Sequence, residues 1–194
     1  MEAALQQLKT LVEATFPLPP DAWNALAAIW QPGSAKRKEI LTAAGAVEKY
    51  LYFITSGVQR VCYFDENTRE ATLVFTYAPS FGGVLDSLLL AKPARYSFET
   101  LTQSTFLRAN ASDLKAVMQQ HPAVLEMVHT GVTHALSGVL ERLVELQAFS
   151  SEEKFRKLLQ RSPHILQLVP HKYLANYLGI DPTNFSKLIN RVQL

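Results

Sequence analysis

The segment "HKYLANYLGIDPTNFSKLIN", His171 to Asn190, leaves the chain the fewest choices. Ala175 stands where a second helix crossing the first needs a small side chain, and Gly179 where a tight turn needs a left-handed backbone. Leu174, Leu178, Ile180, Phe185 and Leu188 are spaced to seal the wedge between two helices. Asp181 is placed to cap the second helix, and Pro182 sits at its first position, where a missing N–H costs nothing. The pattern predicts a helix-turn-helix. Thr183, Asn184, Ser186, Lys187, Asn190 and Arg191 are then the candidates for its outward face, with hydrogen-bonding reach suited to base edges and phosphates. His171 and Lys172, at the start of the first helix, are candidates for backbone phosphates. A structural hairpin with a solvated polar face is the alternative, but it leaves the turn glycine, the small crossing residue and the basic face together unexplained.

Charge distribution bears on that choice. The net charge is +2, yet residues 151–194 carry seven Lys/Arg against three acids, an excess of four that leaves the rest of the chain at −2. A basic end on a near-neutral body is the electrostatic footprint of a nucleic-acid-binding segment. With 48% hydrophobic and 19% charged residues the chain reads as globular, its longest apolar runs are too short to cross a bilayer, and its acidic, amphipathic start is not a secretion signal. Cys62 is the single cysteine, which excludes an intramolecular disulfide, a cysteine-ligated zinc and an iron–sulfur cluster held by this chain alone. A cytoplasmic location is expected. All five histidines lie after residue 120, leaving the preceding segment without the imidazoles a metalloenzyme of the cupin type would need. With no P-loop and no Ser/His/Asp context either, neither an enzyme, a metal site nor a cofactor is expected.

Upstream the texture changes twice. Two helices are expected in the first 30 residues, the first on Leu5, Leu8 and Val12, the second capped by Asp21. From "KRKEILTAAG" to Asn110, β-branched and aromatic runs alternate with turn signals, including a hairpin at Ser56-Gly57, and predict a sandwich or jelly-roll-like barrel. Helical periodicity then returns. Beyond Pro122, Leu125, Val128, Val132, Leu136, Val139, Leu143 and Leu146 form an apolar seam of coiled-coil spacing, which predicts a helix paired with a second copy through residues 123–146 or packed on its own barrel. Ser150 and Glu153 form a capping-box pattern. The expected organisation is an α+β chain: residues 1–110 as helices and β-roll, 111–149 as a central helical segment, 150–194 as the helix-turn-helix.

This layout, with "YLYFITSGVQRV", "FGG" and "YLANYLGIDPTNFSKL", resembles the Crp/Fnr family of bacterial transcription regulators over residues from about 20 to 194. The resemblance implies a cyclic-nucleotide-type β-roll, a homodimer through the long helix, double-stranded DNA as partner, and RNA polymerase as a further partner. The effector residues depart from the family pattern. Its "FGE" is Phe81-Gly82-Gly83 and its "RS" is Arg95-Tyr96, so the ribose-binding acid and the phosphate-binding hydroxyl are absent. The positions that meet the base fall on Val139 and Leu140. Gly82, Gly83, Arg95 and Tyr96 therefore read as a degenerate cassette, from which cyclic AMP binding is not expected. Arg95 reads as an edge ion pair or as the remnant of a site for an unknown anion, and Asp86 as too far round its helix to replace the acid. A module that keeps the fold without reading DNA is the alternative function, suggested by the modest basic excess and by the sequence ending at "INRVQL".

Overall fold

The computed structural model describes residues 1–67 and 69–191. Helices α1 (Glu2–Thr15) and α2 (Pro20–Ala28) precede eight strands: β1 (Trp30–Ala35), β2 (Ile40–Thr42), β3 (Tyr50–Ser56), β4 (Val58–Phe64), β5 (Glu70–Tyr77), β6 (Ser80–Gly82), β7 (Ser97–Thr100) and β8 (Ser104–Asn110). A short helix, α3 (Leu85–Leu90), interrupts the strands. They are followed by α4 (Ala111–Gln120), α5 (Pro122–Ala148), α6 (Ser151–Arg161), α7 (Ile165–Leu168), α8 (His171–Leu178) and α9 (Pro182–Arg191).

The strands form two four-stranded sheets, ordered β1-β8-β3-β6 and β2-β7-β4-β5, whose strand pairs are antiparallel. This is a jelly roll. Gly57, at φ 86, turns β3 into β4. Alternation along β3 divides the core. Leu51 and Phe53 join Leu107 and Ala109 of β8 beneath α1, α2 and α4, while Tyr52 and Ile54 face the interior with Phe98 and Phe106. Leu8 and Val12 are buried as α1 packs on that outer face. The expected cap at Asp21 is not what forms. Pro20 occupies the first turn and Pro19 the N-cap, because a proline fits where no N–H is needed, and Asp21 lies inside the helix as a first-turn acid.

The outer face of the second sheet is covered by the C-terminal helices. Val58 and Leu101 share one hydrophobic cluster with Phe155, Leu158, Leu174, Leu178, Phe185 and others of α6–α9. This explains the burial of Val58 through Cys62, continuous along β4 rather than alternating. Helix α5 is different. Only Val124, Arg142 and Glu145 are buried along it, while Leu136, Val139, Leu140, Leu143 and Val144 are 48–57% exposed.

Candidate nucleic-acid interface and ligand cassette

Local chemistry sets the helix-turn-helix. Gly179 adopts φ 60 and ψ 37, closing α8 as its N–H and that of Ile180 donate to the Asn176 and Ala175 carbonyls. One carboxylate oxygen of Asp181 accepts from the Thr183 N–H at 2.9 Å and the Asn184 N–H at 3.3 Å, satisfying the open end of α9. Leu174, Ala175, Leu178, Ile180, Phe185 and Leu188 are all buried. Thr183, Asn184, Ser186, Lys187, Asn190 and Arg191 are exposed, as are His171 and Lys172. Three of these side chains are partly engaged. The Ser186 hydroxyl donates to the Pro182 carbonyl at 3.0 Å, and the Lys172 ammonium lies 4.4 Å above the Tyr173 ring. The His171 ring meets Phe185 edge-on at 5.9 Å, so the start of α8 stands beside α9.

The opposite side of α8 is clamped to the β-roll. Strand β5 is a sheet edge, and the Asn176 amide satisfies it as a neighbouring strand would: the Thr72 N–H donates to Oδ1 and Nδ2 donates to the Glu70 carbonyl, both at 2.6 Å. Beside it the buried Arg60 guanidinium bonds Glu99 and Thr72, pairs with Glu70, and stacks 4.1 Å from the Tyr173 ring. Tyr77 and Ser162 share a hydroxyl bond of 2.5 Å, and Phe75 packs on Tyr177 at 5.0 Å. Helix α5 adds Arg142, 3.9 Å from the Tyr177 ring, and Glu145, which accepts two bonds from Arg161 at 2.7 and 2.9 Å. Ser150 and Glu153 form the reciprocal capping box that starts α6, and this holds the Glu153 carboxyl below its ordinary range.

The cassette is closed from within. Gly82 is buried, and a Cβ there would lie 3.1 Å from the Phe98 ring. Gly83, at φ 119, leaves a Cβ position 3.2 Å from the Tyr50 carbonyl and 3.5 Å from the Glu48 carboxylate. Glu48 is the residue the sequence did not single out. It is 1% exposed, and one oxygen accepts from the Thr42 hydroxyl at 2.8 Å and the Val84 N–H at 3.1 Å. The other accepts from the Lys49 and Tyr50 N–H groups at 2.9 and 3.2 Å. An acid therefore does sit against the glycine turn, supplied by the connection between β2 and β3 and fully engaged in holding it. Asp86 is exposed. Tyr52 fills the interior between Phe98 and Phe106, at 5.4 and 5.1 Å, and its burial, with the Glu48 charge, pushes its phenol well above the ordinary range.

Arg95 is exposed, and among the described residues it has no carboxylate within 4.0 Å, so the expected edge ion pair does not form. Tyr96 is half-buried against the interior cluster. Neither a cavity of about 600 Å³ beside Arg37 and His171 nor one of about 170 Å³ beside Lys9 and Trp23 reaches Gly82, Gly83 or Arg95. Among the described residues no cluster of His, Cys, Asp or Glu could hold a metal ion, and no helix is long and apolar enough to cross a membrane.

A jelly roll followed by a long helix and a helix-turn-helix is the fold of the Crp/Fnr-type regulators. Residues 33–121 match the family model of the cyclic nucleotide-binding domain. Among solved structures, FixK2 from Bradyrhizobium japonicum is similar at 14% identity and a TM-score of 0.77, covering 84% of each chain. The c-di-GMP-responsive global regulator CLP of Xanthomonas campestris is similar at 14% identity and a TM-score of 0.68, covering 89% of this chain and 91% of that one. A Crp/Fnr-family transcriptional regulator from Eubacterium rectale, described as putative, matches at 15% identity and a TM-score of 0.70, covering 89% and 82%. No curated protein matches in sequence.

Proposed function

We propose that this chain is a non-enzymatic transcription regulator that binds double-stranded DNA through α9 as a homodimer and does not respond to cyclic AMP. The Crp/Fnr-type fold supports a regulator. The observation that carries the DNA reading is the division of α9: Phe185 and Leu188 are buried in the wedge, while Asn184, Lys187, Asn190 and Arg191 stand exposed on the other side. Amide side chains match adenine, and Lys or Arg match guanine or phosphate. The exposed apolar seam of α5 supports pairing with a second copy, since apolar side chains this open on one helix lose free energy in water.

The cassette supports the negative half of the proposal. A ribose hydroxyl bonded to a carboxylate is worth roughly 1.5–3 kcal/mol, and the Glu48 carboxylate is spent on Thr42 and three backbone N–H groups. Two measurements test the proposal. A labelled duplex selected by the protein from a random pool should be bound in a salt-dependent manner, and Lys187→Ala should weaken binding; no binding of any duplex at low salt refutes the reading. Calorimetry with cyclic AMP should show no heat of binding, and low-micromolar affinity would overturn the second half.

A further inference from the structure

The contact between the second sheet and the C-terminal helices is not sealed along its whole length. Leu101, in the β7–β8 turn, and Val169, between α7 and α8, are both buried in the shared hydrophobic cluster. Beside them a cavity of about 600 Å³ opens between the β-roll and the α7–α8 segment. Leu101, Leu166, Leu168, Val169 and Pro170 form its walls. These are aliphatic throughout, and Leu168 is 39% exposed. Both sides are held in place. The Leu101 N–H donates to the Val58 carbonyl at 2.7 Å, and the Thr102 hydroxyl accepts from the Val58 N–H at 2.9 Å, which pins the wall on the roll. On the helical side Ile165 is buried, and its carbonyl accepts from the Val169 N–H at 3.0 Å. A space of this volume between fixed walls at a boundary between two units is of the kind that takes a small molecule.

The rim is polar. Arg37, Gln103, Gln167 and His171 stand there, all exposed. Among the described residues no acid lines the cavity, and Arg37 has no carboxylate within 4.0 Å. An unpaired guanidinium at the mouth of an aliphatic slot selects a molecule that is anionic at one end and hydrocarbon at the other. A guanidinium meets a carboxylate through two parallel N–H bonds, and the Gln103 and Gln167 amides can donate to its remaining lone pairs. Methylene groups are then withdrawn from water along the walls. With no Phe, Tyr or Trp among the lining residues, the slot offers no aromatic platform on which a nucleobase would stack. We propose that this groove binds an aliphatic carboxylate of medium chain length, its head on Arg37 and its tail along Leu101, Leu166 and Leu168. The occupant touches both the β-roll and the α7–α8 segment, so it stabilises their docked arrangement by mass action. Binding here does not depend on whether α9 reads DNA.

Calorimetry on the full chain tests this with sodium hexanoate, octanoate and decanoate, each below the concentration at which it forms micelles, and with octan-1-ol as the uncharged match of octanoate. Decanoate should bind with a dissociation constant on the order of 100 μM. Each CH2 removed should weaken binding about two- to fourfold, fourfold being the value for a methylene fully withdrawn from water. Octan-1-ol should bind about tenfold more weakly than octanoate, as expected when a charge-assisted contact is lost. Arg37→Ala should bring octanoate down to the affinity of octan-1-ol, and Arg37→Lys should recover part of the difference. Leu168→Ser should weaken decanoate several-fold while leaving the preference for octanoate over octan-1-ol intact. Both side chains are exposed, so an unchanged unfolding midpoint without ligand verifies the fold of each variant. If the wild type binds no decanoate at about 1 mM, the site is refuted. Wild-type affinity in both Arg37→Ala and Leu168→Ser would place the binding elsewhere, and equal affinity for octanoate and octan-1-ol would remove the carboxylate; either result overturns the proposal.

Discussion

Replacing Glu48 with glutamine tests whether its carboxylate holds the glycine turn. The carboxylate accepts four hydrogen bonds, two at each oxygen. Glutamine keeps one oxygen, which is best spent on the Lys49 and Tyr50 N–H groups. Its NH2 then faces the Thr42 hydroxyl, which can rotate to accept, and the Val84 N–H, which cannot. Val84 is 2% exposed, so water does not replace the lost acceptor. An unsatisfied buried donor costs about 1–3 kcal/mol, and the remaining bonds weaken from charge-assisted to neutral. Relief from burying a charge offsets part of this, leaving a net loss of about 2–4 kcal/mol. Urea unfolding followed by tryptophan fluorescence gives the global figure. Hydrogen exchange of the Val84 amide gives the local one, rising about tenfold for each 1.4 kcal/mol lost. A variant within about 0.5 kcal/mol of wild type, with Val84 exchange unchanged, would refute the assignment.

Three further outcomes follow from the same contacts. Asn176→Ala removes both bonds to the β5 edge and should cost about 1–3 kcal/mol with faster exchange of the Thr72 amide; Asn176→Asp, which sets a carboxylate against the Glu70 carbonyl, should do no better, and unchanged Thr72 exchange would count against the clamp. Burial pushes the Cys62 thiol up to about 12 from an ordinary 9.0, with Glu99 and Glu70 adding to burial and Arg60 opposing it. Because the folded value is the higher one, the stability linked to Cys62 is intact below about pH 9 and is lost as pH rises toward 12. Native protein should therefore alkylate far more slowly than unfolded protein at about pH 8, and equal rates would refute the burial argument. Leu143→Asp with Val139→Asp should convert a dimer to monomer in sedimentation without unfolding it, and an unchanged sedimentation coefficient would remove α5 from the interface.

What the sequence makes legible are signals that act within a few residues. Gly179, Asp181 and Pro182 determine the turn and the start of α9 through groups at most five positions apart, and the capping box at Ser150 and Glu153 is equally local. Strand texture is legible for the same reason, because alternation is written along each strand. Glu48 is not, because Val84, the donor that gives it meaning, is 36 positions later. Asn176 is less so: its partners are 104 and 106 positions away on an edge that exists only once the sheet has formed. Arg60 reads as one charge in a hairpin until Glu99 and Tyr173 are brought beside it. Asp21 misleads in the opposite sense, since a good capping residue stands one position inside a start that Pro19 and Pro20 already determine.

The residues that orient α9 and those that build the cassette are separate sets. Asn176, Arg60, Tyr77 and the cluster around Val58 and Leu101 hold the helix-turn-helix on the second sheet, and none of them touches Gly82, Gly83, Glu48 or Arg95 through a hydrogen bond or ion pair among the described residues. Loosening the glycine turn should therefore leave the presentation of α9 intact, whereas loosening the clamp should not. Glu48→Gln, assayed at a temperature where it remains folded, should bind a selected duplex with wild-type affinity, while Asn176→Ala should bind it several-fold more weakly. Such a loss reflects the smaller fraction of molecules holding α9 in place, each tenfold corresponding to about 1.4 kcal/mol. The reverse order, with Glu48→Gln impaired and Asn176→Ala unaffected, would mean that the cassette still governs the DNA-facing helix, and the separation argued from these contacts would be wrong.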